Sequence, residues 1–256
     1  MHLGFIGTGQ ITKAVITGII ASKIKIKKIY ISNRNKKVSK YLKTKSKKIF
    51  IIQDNQEILD KSKWIFLAVT PSVGNKIIKN LKFKSSHTII SFISTMTLPD
   101  LKKNIKVKAK ITRAIPLPPI SLMKGPVPIF PSNLKVRNFF NKLGSSIEIS
   151  NENLSKNFWA TSGMMASFYE LLSLMSNWLI KRGVKKNQAQ DYVTSLYLAL
   201  SEYAVLNSKK DLRRLVKDSQ TPNGLNEQGV RELKKRGFFK LTEKTLNSIL
   251  KRLNKV

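Results

Sequence analysis

The first twelve residues, MHLGFIGTGQIT, contain a glycine spacing that suits a phosphate-bearing cofactor. Gly7 and Gly9 occupy the first two places of a G-x-G-x-x-G pattern, and Thr12 occupies the third. Between a strand and a helix, such a turn lets the backbone approach a pyrophosphate, while the helix N-terminus offers free N–H groups and a positive dipole end. The pattern predicts a dinucleotide site formed by Gly7, Thr8, Gly9, Gln10 and Ile11.

The segment ISNRN, at the end of the second predicted strand, bears on the choice of cofactor. An NAD site usually has Asp or Glu here, about 20 residues or more after the glycines, to bind the ribose 2′-hydroxyl. This chain has Ser32, Asn33 and Arg34 instead, and a guanidinium can form two hydrogen bonds to a 2′-phosphate. These residues favour NADPH over NADH, unless Arg34 is simply one more surface cation.

The composition excludes several kinds of site. The chain has no cysteine and two histidines, which excludes disulfides, thiolate nucleophiles and multi-histidine metal sites, so no metal is expected. The formal net charge is +34, from 48 Lys and Arg against 14 Asp and Glu. Lysines occur along the whole chain without a zinc-finger or RNP-type motif, which favours a solvated basic surface over a nucleic-acid partner.

No segment resembles a targeting signal or a membrane span. The chain starts directly with LGFIG, and its richest apolar stretch, SFYELLSLMSNWLI, is interrupted by Glu170 and Asn177. We therefore expect a cytoplasmic protein without membrane contact.

The hydrophobic pattern changes near residue 150. In residues 1–150, short β-branched runs such as GFIG, IYIS, WIFLAV, TIISFIS and KITRAI alternate with helical segments, which predicts an α/β domain with a doubly wound parallel sheet of the Rossmann type. Residues 151–256 have helical periodicity throughout and predict an all-helical domain. Its segment 166–180 is apolar nearly all round, so we expect a homodimer or larger oligomer formed through these helices.

Nearly the whole chain resembles the pyrroline-5-carboxylate reductase family. The segments that carry the resemblance are, in order, GFIGTGQIT, ISNRN, WIFLAVTP, ITRAIPLPP, ATSGMMASFY and SQTPNGLNEQG. The N-terminal segments are shared by many Rossmann enzymes, whereas the last three are more specific. The resemblance implies an NAD(P)-binding Rossmann domain, an all-helical dimerisation domain and an active site between them. It also implies NAD(P)H-dependent reduction of a cyclic imine, with pyrroline-5-carboxylate as the first candidate.

Two motifs of the N-terminal half extend the cofactor site. LAVTP resembles the family's LAVKP, with Thr70 in place of the lysine, and RAIPLPP resembles RxMPNTP, with Leu117 in place of the asparagine. The cofactor-binding residues that the resemblance adds are Ala68, Val69, Pro71 and Pro116.

Two motifs of the C-terminal half define the expected substrate pocket. SGMMASF resembles the family's SGSGPAY, and QTPNGLNEQ resembles TSPGGTT. The expected substrate-binding residues are Ser162, Gly163, Met164, Asn223 and Gly224. The expected catalytic residues are Thr221 and Asn226.

The chemistry requires few titratable groups. A protonated imine needs no strong acid, so hydroxyl or amide groups of Thr221, Asn223 and Asn226, or a water, suffice to hold its nitrogen. A substrate carboxylate fits the backbone N–H groups where Ser162-Gly163 opens the long helix, although a serine there is also an ordinary helix cap. Met164 and Met165 are equally consistent with packing in a core.

Two other functions remain open from the sequence. A β-hydroxyacid dehydrogenase would need a lysine one turn ahead of an asparagine on the long helix, whereas here Asn177 precedes Lys181. A non-catalytic, NADPH-binding Rossmann protein is the second alternative, since the pocket motifs are altered.

Overall fold

The computed structural model describes residues 1–255 of the chain. They form two compact units that divide after Ser155. The first unit contains eight strands and six helices, and the second contains only helices. This architecture confirms the predicted Rossmann-type domain followed by a helical domain.

The strands are β1 (His2–Ile6), β2 (Lys28–Ser32), β3 (Ile49–Ile52), β4 (Trp64–Leu67), β5 (Thr88–Ser91), β6 (Lys110–Ala114), β7 (Pro126–Phe130) and β8 (Ser145–Glu148). The helices of the first unit are α1 (Gln10–Ala21), α2 (Lys36–Lys45), α3 (Asn55–Lys61), α4 (Pro71–Lys79), α5 (Leu98–Ile105) and α6 (Leu134–Phe140). Short 3-10 helices span Pro118–Leu122 and Glu152–Leu154.

The sheet has the strand order β3-β2-β1-β4-β5-β6-β7-β8. The strands β1 to β6 run parallel, and their order reverses between β1 and β4. In open α/β sheets, ligands bind outside the carboxyl ends of the strands at such a reversal point. The topology therefore positions the glycine turn after β1 beside the end of β4.

Two features of the sheet differ from the sequence prediction. The edge strand β3 was not predicted, because its four residues IFII follow a lysine-rich helix and are too few to show a strand pattern of their own. The sheet is also not wholly parallel, since β7 runs antiparallel to β6. An antiparallel neighbour needs no helical crossover, so the short connection through Pro118–Leu122 is sufficient.

Both faces of the sheet are covered. One face packs Phe5 and Phe66 against α1 and against Phe139 of α6, and Phe5 and Phe66 stack with ring centroids 4.4 Å apart. The other face packs aliphatic residues such as Ile65 and Leu67 against α3, α4 and α5. Strands buried on both faces explain the nearly continuous apolar runs in the sequence.

The second unit consists of α7 (Ser155–Ser162), α8 (Met165–Ile180), α9 (Lys186–Leu206), α10 (Arg213–Asp218), α11 (Leu225–Lys235) and α12 (Phe238–Asn254). Within residues 156–255, the buried side chains are Ala160, Ser176, Ala189 and Val193. Large apolar side chains of α8 and α9 are exposed, including Trp178 and Leu198 at 51% and 60%. Few side chains of these helices are fully buried within one chain.

Candidate functional site

The turn between β1 and α1 requires glycine at its first position. Gly7 has a φ of 101°, and a Cβ there would lie 2.4 Å from the carbonyl oxygen of Ala68. Gly9 precedes α1 as its N-cap, and a Cβ added to it would meet nothing within 4 Å. The backbone at Gly9 thus faces open space, which leaves room for a phosphate beside the first N–H groups of α1.

Thr12 fills the third glycine position without opening the turn. Its side chain is fully buried, and its hydroxyl donates a hydrogen bond to the carbonyl oxygen of Gly7 at 2.7 Å. The threonine therefore holds the turn by a hydrogen bond where a glycine would allow close packing only.

Ser32 connects the end of β2 to the same turn. Its hydroxyl oxygen accepts a hydrogen bond from the Gly7 N–H at 3.0 Å and lies 3.0 Å from the Thr8 hydroxyl. Thr8 also donates to the Ser32 carbonyl oxygen. Because Ser32 is buried, its hydroxyl serves first to position the glycine turn.

A cleft of about 460 Å³ opens at this point of the sheet. Its lining residues are Gly7, Thr8, Gly9, Arg34, Asn35, Lys36, Ala68, Val69 and Thr70. A neighbouring depression of about 250 Å³ is lined by Ile6, Gly7, Ser32, Asn33, Arg34, Gln53, Asn55, Val69 and Ile77. Arg34 lines both and is exposed. The structure thus brings together most of the residues that the sequence predicts for the cofactor.

Four of the expected cofactor residues do not line this cleft. Gln10 and Ile11 are the first two residues of α1, where their backbone N–H groups are the available donors. Pro71 lines a separate depression between α4 and α5, and Pro116 is buried after β6. Thr70, which precedes Pro71, lines the cleft, whereas neither neighbour of Pro116 does.

The cleft is cationic. Arg34 and Lys36 line it, and no acidic residue occurs among its lining residues within the described chain. The Asn33 side-chain oxygen accepts a hydrogen bond from the Ser39 hydroxyl at 3.0 Å, and Asn35 caps α2 by accepting the Val38 N–H. Such a surface suits a phosphate and offers nothing that would repel one.

Sequence reasoning missed several of these residues. Lys36 could not be distinguished in the sequence from the many other lysines, and Asn35 belongs to no motif other than its position next to Arg34. Thr70 was identified only as the replacement of a lysine, yet it lines the cleft as the N-cap of α4.

Arg113 of the RAIPLPP motif has a structural environment. Its side chain is 3% exposed and forms an ion pair with Glu152, and it donates to the Ser94 carbonyl oxygen at 2.7 Å. Glu152 also accepts the Leu98 N–H at 2.8 Å. Burial lowers the pKa of Arg113, and the Glu152 carboxylate opposes that shift. This pair ties the end of β6 to the loop after β5.

The PLPP part of the same motif packs against α1. Its 3-10 helix, Pro118–Leu122, lies so close to α1 that a Cβ at Gly18 would be 2.3 Å from the carbonyl oxygen of Ile120. Gly18 therefore permits this contact between the two backbones.

The expectation for Ser162 is wrong in its atomic detail. Ser162 ends α7, and its hydroxyl donates to the Phe158 carbonyl oxygen at 2.9 Å, so it does not cap α8. The N–H groups of Gly163 and Met164 are bound to carbonyls of α7. The free donors are instead those of the first turn of α8, which begins at Met165.

The two residues that follow Ser162 have distinct environments. Gly163 packs tightly, since a Cβ there would lie 3.0 Å from the Ala160 carbonyl oxygen and 3.4 Å from Ile249. Met164 is partly exposed and lines a mostly apolar cleft between α8 and α12 with Phe168 and Phe239.

The expected catalytic residues lie in the loop before α11 and in the first turn of that helix. The Asn226 amide donates to the Ser219 carbonyl oxygen at 2.9 Å, which closes the loop and leaves its own Oδ1 as an acceptor. Gly224 is the N-cap of α11, and a Cβ there would lie 2.3 Å from the Thr221 hydroxyl. Asn223 has a φ of 61°, and its N–H donates to Glu227. Within residues 1–255, the Thr221 hydroxyl has no hydrogen-bond partner.

Comparison with known families agrees with both units. Residues 2–96 match the family model "NADP oxidoreductase coenzyme F420-dependent", and residues 152–256 match "Pyrroline-5-carboxylate reductase dimerisation". The chain is 23% identical to pyrroline-5-carboxylate reductase of Staphylococcus saprophyticus, covering 98% of this chain and 96% of that protein. It is 25% identical to that of Synechocystis, covering 93% and 91%. The chain belongs to the pyrroline-5-carboxylate reductase family.

Solved structures of this reductase family share the fold. The Plasmodium falciparum pyrroline carboxylate reductase, crystallised with NADP bound, superposes with a TM-score of 0.83 at 21% identity, covering 99% of this chain and 97% of that one. The enzyme of Streptococcus pyogenes gives 0.83 at 20% identity, covering 100% and 99%.

The family match also explains the exposed helices of the second unit. This unit is the family's dimerisation domain, so the predicted self-association through the C-terminal helices is confirmed. Within residues 1–255, no helix is both long and apolar enough to cross a membrane.

Proposed function

We propose that this protein reduces pyrroline-5-carboxylate to proline with NADPH. Family membership carries this proposal. The first unit contains a cationic cleft that suits a dinucleotide, and the second unit matches the dimerisation domain of this reductase family. The alternatives of a β-hydroxyacid dehydrogenase and of a non-catalytic NADPH-binding protein receive no comparable support.

The residues of the cleft fit NADPH. The open space at Gly9 and the first N–H groups of α1, including those of Gln10 and Ile11, would hold the pyrophosphate. Arg34 would hold the 2′-phosphate, with Asn33 and Lys36 beside it. Ala68, Val69 and Thr70 would line the path towards the nicotinamide, and Ser32 and Thr12 would keep the turn in place. The bound cofactor would supply the hydride.

The loop before α11 would hold the imine. A protonated imine nitrogen is a hydrogen-bond donor, and both the Thr221 hydroxyl and the Asn226 Oδ1 are available acceptors. Asn223 and Gly224 would contribute by fixing the loop, whose close packing leaves no room for a side chain at position 224. These residues bind and orient, so the site needs no histidine or cysteine.

The first turn of α8 would receive the substrate carboxylate. Its free N–H groups start at Met165, and the α7 end formed by Ser162 and Gly163 would set the position of this turn. Met164 would add an apolar contact.

The assembly is proposed to be a homodimer or larger, for which light scattering at micromolar concentration should give at least twice the monomer mass.

The test of the reaction is NADPH oxidation with pyrroline-5-carboxylate. Thr221→Val and Asn226→Leu should each lower kcat/KM by roughly tenfold to a thousandfold and leave NADPH affinity unchanged, because they remove polar groups from the loop and not from the cleft. Thr221→Ser keeps the hydroxyl and is the matched control. Wild-type rates in both variants would contradict the assignment of the loop, and turnover with another imine alone would contradict only the substrate.

The test of the cofactor is the affinity for NADPH and NADH. A guanidinium–phosphate contact is worth about 1.5–3 kcal/mol, so Arg34→Ala should weaken NADPH binding about tenfold or more and leave NADH binding unchanged. Lys110→Ala is the control. Lys110 is exposed at the start of β6 and therefore lies at the amino ends of the parallel strands, whereas the cleft lies at their carboxyl ends. Equal affinities that Arg34→Ala does not alter would remove Arg34 from the site.

A further inference from the structure

The negative charges of the chain are distributed unevenly. Residues 1–53 contain 13 Lys and Arg and no Asp or Glu, whereas residues 54–155 contain 16 Lys and Arg and six Asp and Glu. The net positive charge per residue is therefore more than twice as high in the first 53 residues as in the rest of the same unit. Lysines are spread along the chain, but the acidic residues that would balance them are not.

The acid-free segment forms one continuous part of the fold. It builds β1, α1, β2, α2 and β3, which are the edge of the sheet from β3 to β1 together with the cleft that follows β1. Of its cations, Arg34 and Lys36 line that cleft. The segment therefore connects a basic outer surface with the candidate cofactor site.

Two lysines of this surface have no role within the chain. Lys37 and Lys40 lie on α2 and are exposed, and within residues 1–255 their side chains form neither a hydrogen bond nor an ion pair. By contrast, Lys43 donates to the Ile49 carbonyl oxygen, and Lys45 lies 4.8 Å from the Tyr41 ring centre. Lys37 and Lys40 are named here the α2 lysines.

The placement of cations on α2 is unfavourable without an anion nearby. Lys36 and Lys37 occupy the first turn of the helix, which contains no acidic residue, although the helix dipole repels cations at this end. The helix is about 15 Å long, so the α2 lysines lie within the range of electrostatic interaction from the cleft at low salt. A phosphate in the cleft would relieve this repulsion.

We propose that the acid-free surface of residues 1–53 acts as an electrostatic guide that accelerates the entry of phosphate-rich dinucleotides and favours NADPH over NADH in the rate of binding. This inference rests on the proposed cofactor. NADPH carries about two more negative charges than NADH, so a positive field attracts it more strongly. Charges that do not touch the ligand change its association rate much more than its dissociation rate.

The experiment compares two double variants of the full chain by stopped-flow fluorescence of NADPH and NADH binding, without substrate, between 10 and 500 mM NaCl. One variant replaces the α2 lysines (Lys37→Gln, Lys40→Gln). The matched control removes the same charge from exposed lysines elsewhere in the unit (Lys108→Gln, Lys110→Gln).

We expect the α2 variant to slow NADPH association about tenfold at 10 mM NaCl and less than twofold at 500 mM, because the Debye length falls from about 30 Å to a few ångströms. The effect on NADH should be smaller, dissociation rates should stay the same, and the control should remain within about twofold of the wild type.

Equal slowing by both double variants would overturn the proposal, since net charge alone would then be responsible. A change confined to the dissociation rate would overturn it as well. The experiment measures cofactor binding and not turnover, so its result does not depend on the proposed reaction. Failure of both dinucleotides to bind would overturn this inference together with the proposed cofactor.

Discussion

Replacing Glu152 by glutamine should destabilise the Rossmann unit far more than the loss of an exposed ion pair would. Glu152 faces the Arg113 guanidinium, which is 3% exposed, and also accepts the Leu98 N–H. Glutamine keeps an acceptor for that N–H but removes the negative charge. The guanidinium would then remain buried without the negative charge of Glu152, while it still donates to the Ser94 carbonyl oxygen.

The expected cost follows from the burial of the pair. Removing one partner of a fully buried ion pair costs about 3–5 kcal/mol. The Glu152 side chain is 18% exposed, which allows water to replace part of the lost interaction, so we expect about 2–3 kcal/mol for Glu152→Gln. The exposed pair of Glu57 and Lys61 provides the matched control, and Glu57→Gln should cost less than about 1 kcal/mol.

The free energy of unfolding in urea at pH 7 measures the effect, and hydrogen exchange of the amides in β5 and β6 localises it. The double variant Arg113→Met, Glu152→Met should regain stability relative to Glu152→Gln, because a buried pair can be replaced by apolar side chains at little cost. A cost for Glu152→Gln equal to that for Glu57→Gln, with unchanged exchange in β6, would refute this account of the pair.

Two further predictions concern backbone packing and a buried histidine. Gly18→Ala should lower the free energy of unfolding, measured by urea titration, by about 2 kcal/mol, because its Cβ would collide with the Ile120 carbonyl oxygen. Gly9→Ala should leave the free energy of unfolding within about 0.5 kcal/mol of the wild type, since its Cβ meets no neighbour, and should weaken NADPH binding measured by fluorescence. Burial lowers the pKa of His87 below its ordinary value of 6.5, and its Nδ1 accepts the Lys84 N–H. The unfolded chain therefore binds more protons below about pH 6.5, so the free energy of unfolding should fall from pH 7 to pH 5, and less steeply in His87→Asn; an equal slope in both proteins would contradict this.

Much of the cofactor half could be predicted from the sequence because its signals are local. A glycine pair between a strand and a helix has few structural uses, and the residues after β2 reveal whether a carboxylate is present. The predicted residues Gly7, Thr8, Gly9 and Arg34 accordingly line one cleft. The edge strand β3 escaped prediction because four apolar residues after a lysine-rich helix carry little periodicity.

The helical half was predictable as a class but not in its contacts. An apolar segment such as 166–180 must be covered, and the sequence alone indicates that a second copy does so. Which atoms Ser162 engages depends on where α7 ends; because α7 includes Ser162, its hydroxyl bonds to Phe158 instead of opening α8. Helix ends are decided by the competition of neighbouring contacts, which a single sequence does not display.

The sequence by itself determined the class of fold, the glycine turn and the absence of a carboxylate after β2, since each depends on residues adjacent in the chain. Only the tertiary structure decided that Thr12 holds Gly7, that Ser32 joins β2 to the same turn, and that Arg113 pairs with Glu152 across 39 positions. The physical reason is the range of the interactions. Periodicity and turn chemistry act between neighbours, whereas buried hydrogen bonds and ion pairs join residues that only the folded chain brings within 3 Å of each other.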